Sequence, residues 1–386
     1  MIGPGSMAKG FGIEILARDG HARRGRLSTP HGVADTPTFM PVATFGAVRG
    51  ISAAELALAG AQILLSNTYH LHERPGEEII RDLGGLHGFT GWRGPWLTDS
   101  GGFQVTSLAD RARLDEEGVT FASPLDGRRR QLTPENVIRI QEALGSDIAM
   151  VLDQCIPIEG GSEDRTDRQR IESAMRRTLR WAERSLKARR HPSQAVFAIV
   201  QGGASESLRR ASAEATAQLE FEGYAHGGLG LGESRAERRA AVGVAHEALP
   251  EDRPRYLMGL GRPLDLLDGI AAGVDLFDCV IPTRNGRHGV LFTSEGVLNL
   301  RNAGFAREDG PLDPDCACPA CACHGRAYLR HLIRSGEALG ARLTSLHNLT
   351  YYMKLLARAR QAIEDSTFEA FHREIESLAE RRIPAL

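Results

Sequence analysis

Tyr256-Leu-Met-Gly-Leu-Gly-Arg-Pro-Leu-Asp-Leu-Leu-Asp-Gly-Ile-Ala-Ala-Gly-Val-Asp-Leu-Phe-Asp-Cys279 reads as one strand–helix–strand unit. Tyr256–Gly259 and Val274–Cys279 are short apolar runs of strand length, and Leu264–Ala272 between them has a helical pattern. The same alternation extends outward in both directions. Further strands are expected at Thr38–Thr44, Ile63–Thr68, Trp96–Thr98, Ile148–Leu152, Val196–Val200 and Ala225–Leu231. Helices are expected at Thr133–Leu144, Asp167–Arg190, Ser205–Phe221 and Ser234–Ala248. The first of these has Thr133 to cap it, Pro134 suited to its first turn and Glu135 facing the positive end of its dipole. Eight alternations over roughly 270 residues match an α/β chain folded as a (β/α)8 TIM barrel, with the site at the C-terminal strand ends. A doubly wound open sheet is the alternative, because periodicity does not show closure.

The 386 residues carry 47 basic and 49 acidic side chains, for a net charge of −2. This balance excludes a histone-like polycation and an acidic tail, and any nucleic-acid site must be local. Only three of the basic residues are lysines (Lys9, Lys187, Lys354); arginine favours bidentate phosphate contacts. No run approaches the roughly 18 apolar residues of a membrane helix. Met1-Ile-Gly-Pro-Gly-Ser6 ahead of Met7 reads as a cloning remnant. The expected organisation is a barrel over 7–302, with N-terminal strands and a hairpin inserted near 119–131 around the Asp126-Gly127 turn. A helical, metal-bearing subdomain over 303–386 would follow, packed on the barrel, with helices at Arg326–Leu339 and Ser345–Asp365.

Six cysteines in so long a chain are not a disulfide scaffold, and four of them (Cys316, Cys318, Cys321, Cys323) crowd into eight residues. This points to a reducing cytosol and a metal. Cys316-x-Cys318-x-x-Cys321 supplies three thiolates; the fourth ligand could be Cys323, His324 or the more distant His347. Four protein ligands close a tetrahedral zinc shell and leave no position for a catalytic water, so the site reads as structural.

Three carboxylates sit at strand ends: Asp99 in Leu97-Thr-Asp-Ser-Gly-Gly-Phe-Gln, Asp153 in Met150-Val-Leu-Asp, and Asp278. In a barrel they would face one rim, where paired carboxylates can divide nucleophilic and acid/base duties. Gly101-Gly102 and Gly227-Gly228 permit close approach of backbone to a ligand. Gln201 adds a carboxamide, which beside a carboxylate suits the edge of a purine-like base. Gly227-Gly-Leu-Gly-Leu-Gly lacks the acidic partner of a dinucleotide site. From His324 to Arg360, six arginines and Lys354 face a single acid, Glu337. Arg326, Arg330 and Arg334 repeat every four residues, hence on one helical face, as a stripe suited to phosphates. Arg284, Arg287 and His288 add cations after Asp278.

Together with Ser66-Asn-Thr-Tyr-His-Leu, the motifs Thr98-Asp-Ser-Gly-Gly-Phe-Gln, Tyr224-Ala-His-Gly-Gly-Leu-Gly-Leu-Gly-Glu, Tyr256-Leu-Met-Gly, Phe277-Asp-Cys-Val-Ile-Pro-Thr-Arg and Cys-x-Cys-x-x-Cys…His resemble the tRNA-guanine transglycosylases, from about residue 11 to the C-terminus. The resemblance implies exchange of the wobble guanine of GUN-anticodon tRNAs for a 7-substituted 7-deazaguanine. It implies Asp278 as nucleophile, through a covalent ribosyl intermediate, and Asp99 as acid/base. Asp153, Gln201 and Gly228 would bond the base, Leu229 would offer its carbonyl to the 7-substituent, and Tyr256 and Met258 would sandwich the ring, with Ser100 and Phe103 alongside. Arg284 and Arg287 would lie near the anticodon loop. One structural Zn2+ per chain on Cys316, Cys318, Cys321 and His347, a homodimer and a cytoplasmic setting are also implied.

Several positions depart from the family pattern. Gln154 stands where bacterial members commonly have a carboxylate, Phe103 replaces a tyrosine, and His226 precedes Gly227-Gly228 where an apolar residue is usual. Its protonation could couple base binding to pH, although a packed, hydrogen-bonded histidine is the plainer expectation. Leu231 and Cys155 favour the small substrate 7-aminomethyl-7-deazaguanine over free queuine. Rival readings are a non-catalytic tRNA-binding subunit on the same fold, which retention of Asp99 and Asp278 argues against, and a zinc hydrolase, which would need an open metal position.

Overall fold

In the computed structural model, residues 8–104, 112–156, 165–379 and 381–384 are described; the Met1–Ser6 leader lies outside them. Gly12–Asp19 (β1), Ala22–Thr29 (β2) and Gly32–Thr36 (β3) form an antiparallel sheet. The barrel begins with Thr38–Pro41 (β4), Leu64–Ser66 (β5) and Trp96–Thr98 (β6). Arg113–Leu114 (β7), Val119–Ala122 (β8) and Arg129–Leu132 (β9) then make a small antiparallel sheet. The barrel resumes with Ile148–Met150 (β10), Ala195–Val200 (β11), Gly223–His226 (β12), Arg255–Leu257 (β13) and Leu276–Cys279 (β14). A hairpin of Val290–Thr293 (β15) and Gly296–Asn299 (β16) follows.

The eight barrel strands pair in parallel in the order β4-β14-β13-β12-β11-β10-β6-β5, and a parallel bridge from Val42 to Leu65 joins the two ends. That closure excludes the open sheet and establishes the TIM barrel. Every residue of β10 and β11 is buried, as expected for parallel strands covered on both faces. Leu27 and Ala34 from β2 and β3 share one buried cluster with Met40, Leu65, Leu97, Phe197 and Tyr256 of the barrel. Arg23 on β2 forms a buried pair with Asp275 just before β14, with Nη2 and Oδ2 2.5 Å apart.

The sixth barrel strand ends earlier than its apolar run. β12 stops at His226, because Gly228 and Gly230 take φ of +66° and +77°, which no pleated strand accommodates. Helices such as Pro134–Leu144, Arg165–Ala188, Glu206–Ala217, Arg235–His246 and Pro263–Ala271 cover the outside. The first opens on a capping box in which Thr133 Oγ1 accepts from Asn136 N and Asn136 Oδ1 accepts from Thr133 N.

After β14 and the short helix Ile281–Arg287, the outer ring is completed by a helix from much later in the chain, Ala338–Glu364. It begins seven residues before the sequence suggests, and the preceding helix, Arg326–Ser335, ends on left-handed Gly336. Leu346, Leu349, Tyr352 and Leu356 of the long helix join the main core. Gly286 lets it approach closely: a Cβ there would lie 2.7 Å from Ser345 Cα. Thr344 Oγ1 donates to Gly286 O, Ser345 Oγ to Thr283 O and Asn348 Nδ2 to Pro282 O. A separate, smaller core gathers Leu291, Leu298, Phe305, Leu329, Ile333 and Leu343 around Cys318.

Candidate active site

A cavity of about 240 Å³ opens at the C-terminal ends of the barrel strands. Its walls bring together Asp99, Ser100, Phe103, Asp153, Gly228, Leu229, Tyr256, Met258 and Asp278, residues separated by up to 179 positions along the chain yet adjacent because each follows or ends a parallel strand.

Asp278 lies on β14 with its Oδ1 held by two donors, Tyr256 Oη at 2.6 Å and Gly259 N at 2.7 Å. Among the described residues, no hydrogen bond reaches its Oδ2. Burial raises the Asp278 pKa, and the two donors act against that rise. Asp99, one residue past β6, is more heavily bonded. Thr68 N and Gly101 N donate to its Oδ1, and Asn67 Nδ2 and Gln104 Nε2 to its Oδ2. Burial, with the charge of Asp278 added, nevertheless pushes its carboxyl up to about 7. Two carboxylates thus share one cavity in unlike environments, Asp278 with one oxygen left open toward a substrate and Asp99 poised to exchange a proton near neutrality.

Asp153 Oδ2 accepts from Gln201 Nε2 at 2.7 Å and Oδ1 from Ser100 Oγ at 3.5 Å; burial pushes this carboxyl to about 6. Gln201 is buried behind Asp153 and is not among the residues lining the cavity. It supports the glycine turn, since a Cβ on Gly228 would stand 2.4 Å from its Oε1. Cys155 also lines the cavity, as an un-ionised thiol that burial pushes to about 12. Tyr256 is buried with its hydroxyl engaged by Asp278, whereas Phe103 is 44% exposed at the mouth.

Sequence reasoning assigned no role to Asn67, Thr68, Gly259 or Glu233. The Glu233 side chain is fully buried, accepts from Gly230 N at 2.6 Å and Leu231 N at 3.0 Å, and pairs with Arg238. The signal was present in the quoted motifs, Ser66-Asn-Thr and Leu-Gly-Leu-Gly-Glu, whose polar members needed partners on neighbouring strands.

His226 is a packed core residue. His246 Nδ1 faces Ala272 O and must donate to it, so His246 Nε2 accepts from His226 Nε2 at 2.8 Å. Among the described residues, this leaves the buried His226 Nδ1 without a partner. Burial, reinforced by the charges of Arg209 and Arg255, holds its pKa well below the usual histidine range. This disfavours the protonated form on which any coupling of base binding to pH through His226 would depend.

Cys316, Cys318, Cys321 and His347 converge into one cluster that could hold a metal ion, with ligand atoms all within 4.8 Å of one another. His347 Nδ1 lies 3.6 Å from Cys318 Sγ and 3.3 Å from Cys321 Sγ. Its Nε2 donates to Phe292 O at 2.9 Å, which fixes the tautomer and aims the other nitrogen at the thiols. Cys323 is exposed and His324 rests against Tyr328, so neither belongs to the cluster.

The charge excess counted along residues 324–360 is partly offset in space by acids from elsewhere. Arg326 pairs with Glu308 and lies over the Phe305 ring, Arg342 pairs with Glu55, and Arg358 with Glu374. Arg330 Nε donates to Asn302 O. Arg334 is exposed and, among the described residues, unpaired. Arg284 is exposed beyond Asp278, and the neighbouring Arg287 has its pKa lowered by burial and by the charges of Arg49 and Arg284. The three form a compact cationic group, and Arg49 went unremarked in the sequence.

Residues 19–380 match the family model described as queuine tRNA-ribosyltransferase. The chain is 53% identical over 364 residues to the queuine tRNA-ribosyltransferase of Thermus thermophilus, covering 94% of this chain and 93% of the relative. It is 51% identical over 382 residues to the protein of the same name from Solidesulfovibrio magneticus, covering 98% and 99%. The Stenotrophomonas maltophilia protein of that name is 52% identical over 362 residues, covering 93% and 95%.

Proposed function

This chain belongs to the queuine tRNA-ribosyltransferase family, and from that premise we propose that it is a pentosyltransferase replacing the wobble guanine of GUN-anticodon tRNAs with 7-aminomethyl-7-deazaguanine by double displacement. The observation that carries the mechanism is the division of labour between Asp278 and Asp99. Asp278 Oδ2, the oxygen left unbonded, attacks the anomeric carbon; the bond to guanine N9 breaks and a ribosyl ester forms. Asp99, a carboxyl that titrates near 7, gives its proton to the departing guanine. The incoming base then returns a proton to Asp99 as its N9 displaces Asp278. Hydrogen bonds from Tyr256 and Gly259 keep Asp278 ionised and competent to leave.

Asp153, with Ser100 beside it, and the backbone at Gly228 and Leu229 would bind the base edge. Gln201 acts from behind by holding Asp153. Tyr256, whose hydroxyl bonds Asp278 while its ring lines the cavity, and Met258 would sandwich the base, with Phe103 at the mouth. Leu231 in the cavity wall favours the compact aminomethyl base over queuine. A splayed anticodon loop would meet Arg284 and Arg287, with Arg330 and Arg334 as outer phosphate contacts. Zn2+ fits the Cys3His donor set, where it would cross-link the fold and leave the chemistry to the carboxylates. A homodimer in the cytoplasm completes the reading, and light scattering tests the dimer.

The deciding experiment is Asp278→Asn with labelled guanine and a tRNA transcript. Exchange and the covalent tRNA adduct should vanish with metal content unchanged, and a fully active variant refutes the mechanism. Assaying a panel of free bases against one transcript separates the aminomethyl base from queuine.

A further inference from the structure

A second cluster of metal-binding side chains lies at the opposite, N-terminal end of the barrel. His31 occupies the turn between β2 and β3, His87 the helix Gly85–Thr90, and Asp147 the position just before β10. The two imidazoles stack with ring centroids 3.5 Å apart and planes 19° from parallel. His31 Nδ1 lies 2.8 Å from Asp147 Oδ1 and His87 Nε2 3.4 Å from Asp147 Oδ2. The Asp147 side chain is fully buried. Among the described residues, these two histidines are its only ion-pair partners; Trp96 N and His31 N supply its remaining hydrogen bonds. A cavity of about 270 Å³ adjoins the cluster, with Glu142 and His191 also in its walls.

We propose that His31, His87 and Asp147 form a second metal site, taking one divalent transition-metal ion of the imidazole-preferring kind. The chemistry supports an ion in three ways. The ligand atoms of the three residues all lie within 4.8 Å of one another, as do those of the cysteine and histidine cluster, so a modest adjustment would bring them around one ion. Two imidazoles stacked face to face cannot both be protonated without strong repulsion, so at least one ring presents a neutral nitrogen, the form that ligates a metal. The donor set of two imidazoles and one carboxylate suits zinc, nickel or cobalt and leaves positions for water, for which the cavity has room. His31 is 45% exposed at its side chain, so an ion can enter from solvent. Bound there, it would clasp the β2–β3 turn to the barrel floor, far from Asp278.

The test uses the holoenzyme with its cysteine cluster already loaded, titrated with Ni2+ by calorimetry in a non-chelating buffer. One further equivalent should bind per chain. His31→Gln, a change at an exposed turn, should weaken that binding at least tenfold and abolish the rise in unfolding temperature that Ni2+ gives the unaltered protein. Absence of saturable Ni2+ binding, or undiminished binding in His31→Gln, overturns the proposal. So does thiolate-to-nickel absorption in the near ultraviolet, which would place the ion in the cysteine cluster.

Discussion

Tyr256 Oη and Gly259 N close on the same oxygen of Asp278, at 2.6 and 2.7 Å, so the carboxylate is anchored on one side and open on the other. Removing the phenol oxygen in Tyr256→Phe leaves the burial that raises the Asp278 pKa but deletes part of what opposes it. A hydrogen bond to a charged group contributes about 1.5–3 kcal/mol, equivalent to about one to two pH units. The acid limb of the pH–rate profile should move upward by that order, with metal content unchanged.

Asp99, at about 7, is half protonated at neutral pH, and its two tasks require opposite states. In single-turnover measurements, adduct formation should fall as pH rises through about 7, because the proton donor is lost. Discharge of the adduct by incoming base should rise through the same range. Asp278→Asn removes the neighbouring charge that helps hold the Asp99 pKa up, so the Asp99 titration should shift to lower pH when followed by carbon-13 NMR.

Gly228 combines a φ of +66° with a Cβ position 2.4 Å from Gln201 Oε1. Gly228→Ala adds a backbone cost of about 1–2 kcal/mol and displaces the amide that holds Asp153. KM for the free base should rise at least tenfold, while the far-ultraviolet circular dichroism of the barrel stays the same.

The arginines of the Arg326–Ser335 helix separate into two kinds. Arg326→Ala breaks the pair with Glu308 and the contact with Phe305, so it should lower thermal stability. Arg334→Ala leaves stability unchanged. If it meets a tRNA phosphate, the slope of log affinity against log salt becomes shallower by about 0.7–0.9, as read by filter binding at several salt concentrations.

Chelation of the metal from the Cys316, Cys318, Cys321 and His347 cluster removes the cross-link at the centre of the smaller core. The unfolding transition seen by calorimetry should fall by about 10 °C or more, given the large share that structural metals contribute to folding. Restoring Zn2+ should return it.

The barrel was legible because its strands are largely apolar and its helices amphipathic, a contrast that survives in one dimension. Closure was not, since the Val42–Leu65 bridge has no periodic signature. The carboxylates announced themselves as polar residues at the ends of apolar runs, but their donors did not. Asn67 and Thr68 reach Asp99 across neighbouring strands, and Glu233 bonds backbone whose turn depends on positive φ. The stripe of Arg326, Arg330 and Arg334 was counted against nearby acids alone, whereas Glu308 lies outside the counted segment and reaches Arg326 only through folding. His347 could not be separated from Cys323 and His324 by spacing, because it arrives on a helix packed against the barrel.

That helix has a mechanical consequence. His347 lies next to Asn348 and within one turn of Thr344 and Ser345, which fasten the helix to carbonyls of Pro282, Gly286 and Thr283 immediately beyond Asp278. The cysteine knot is therefore bolted to the same girder as the strand bearing the proposed nucleophile and cannot swing independently of it. An RNA loop laid across both would meet a rigid jig, and the bending needed to present its base would have to come from the nucleic acid.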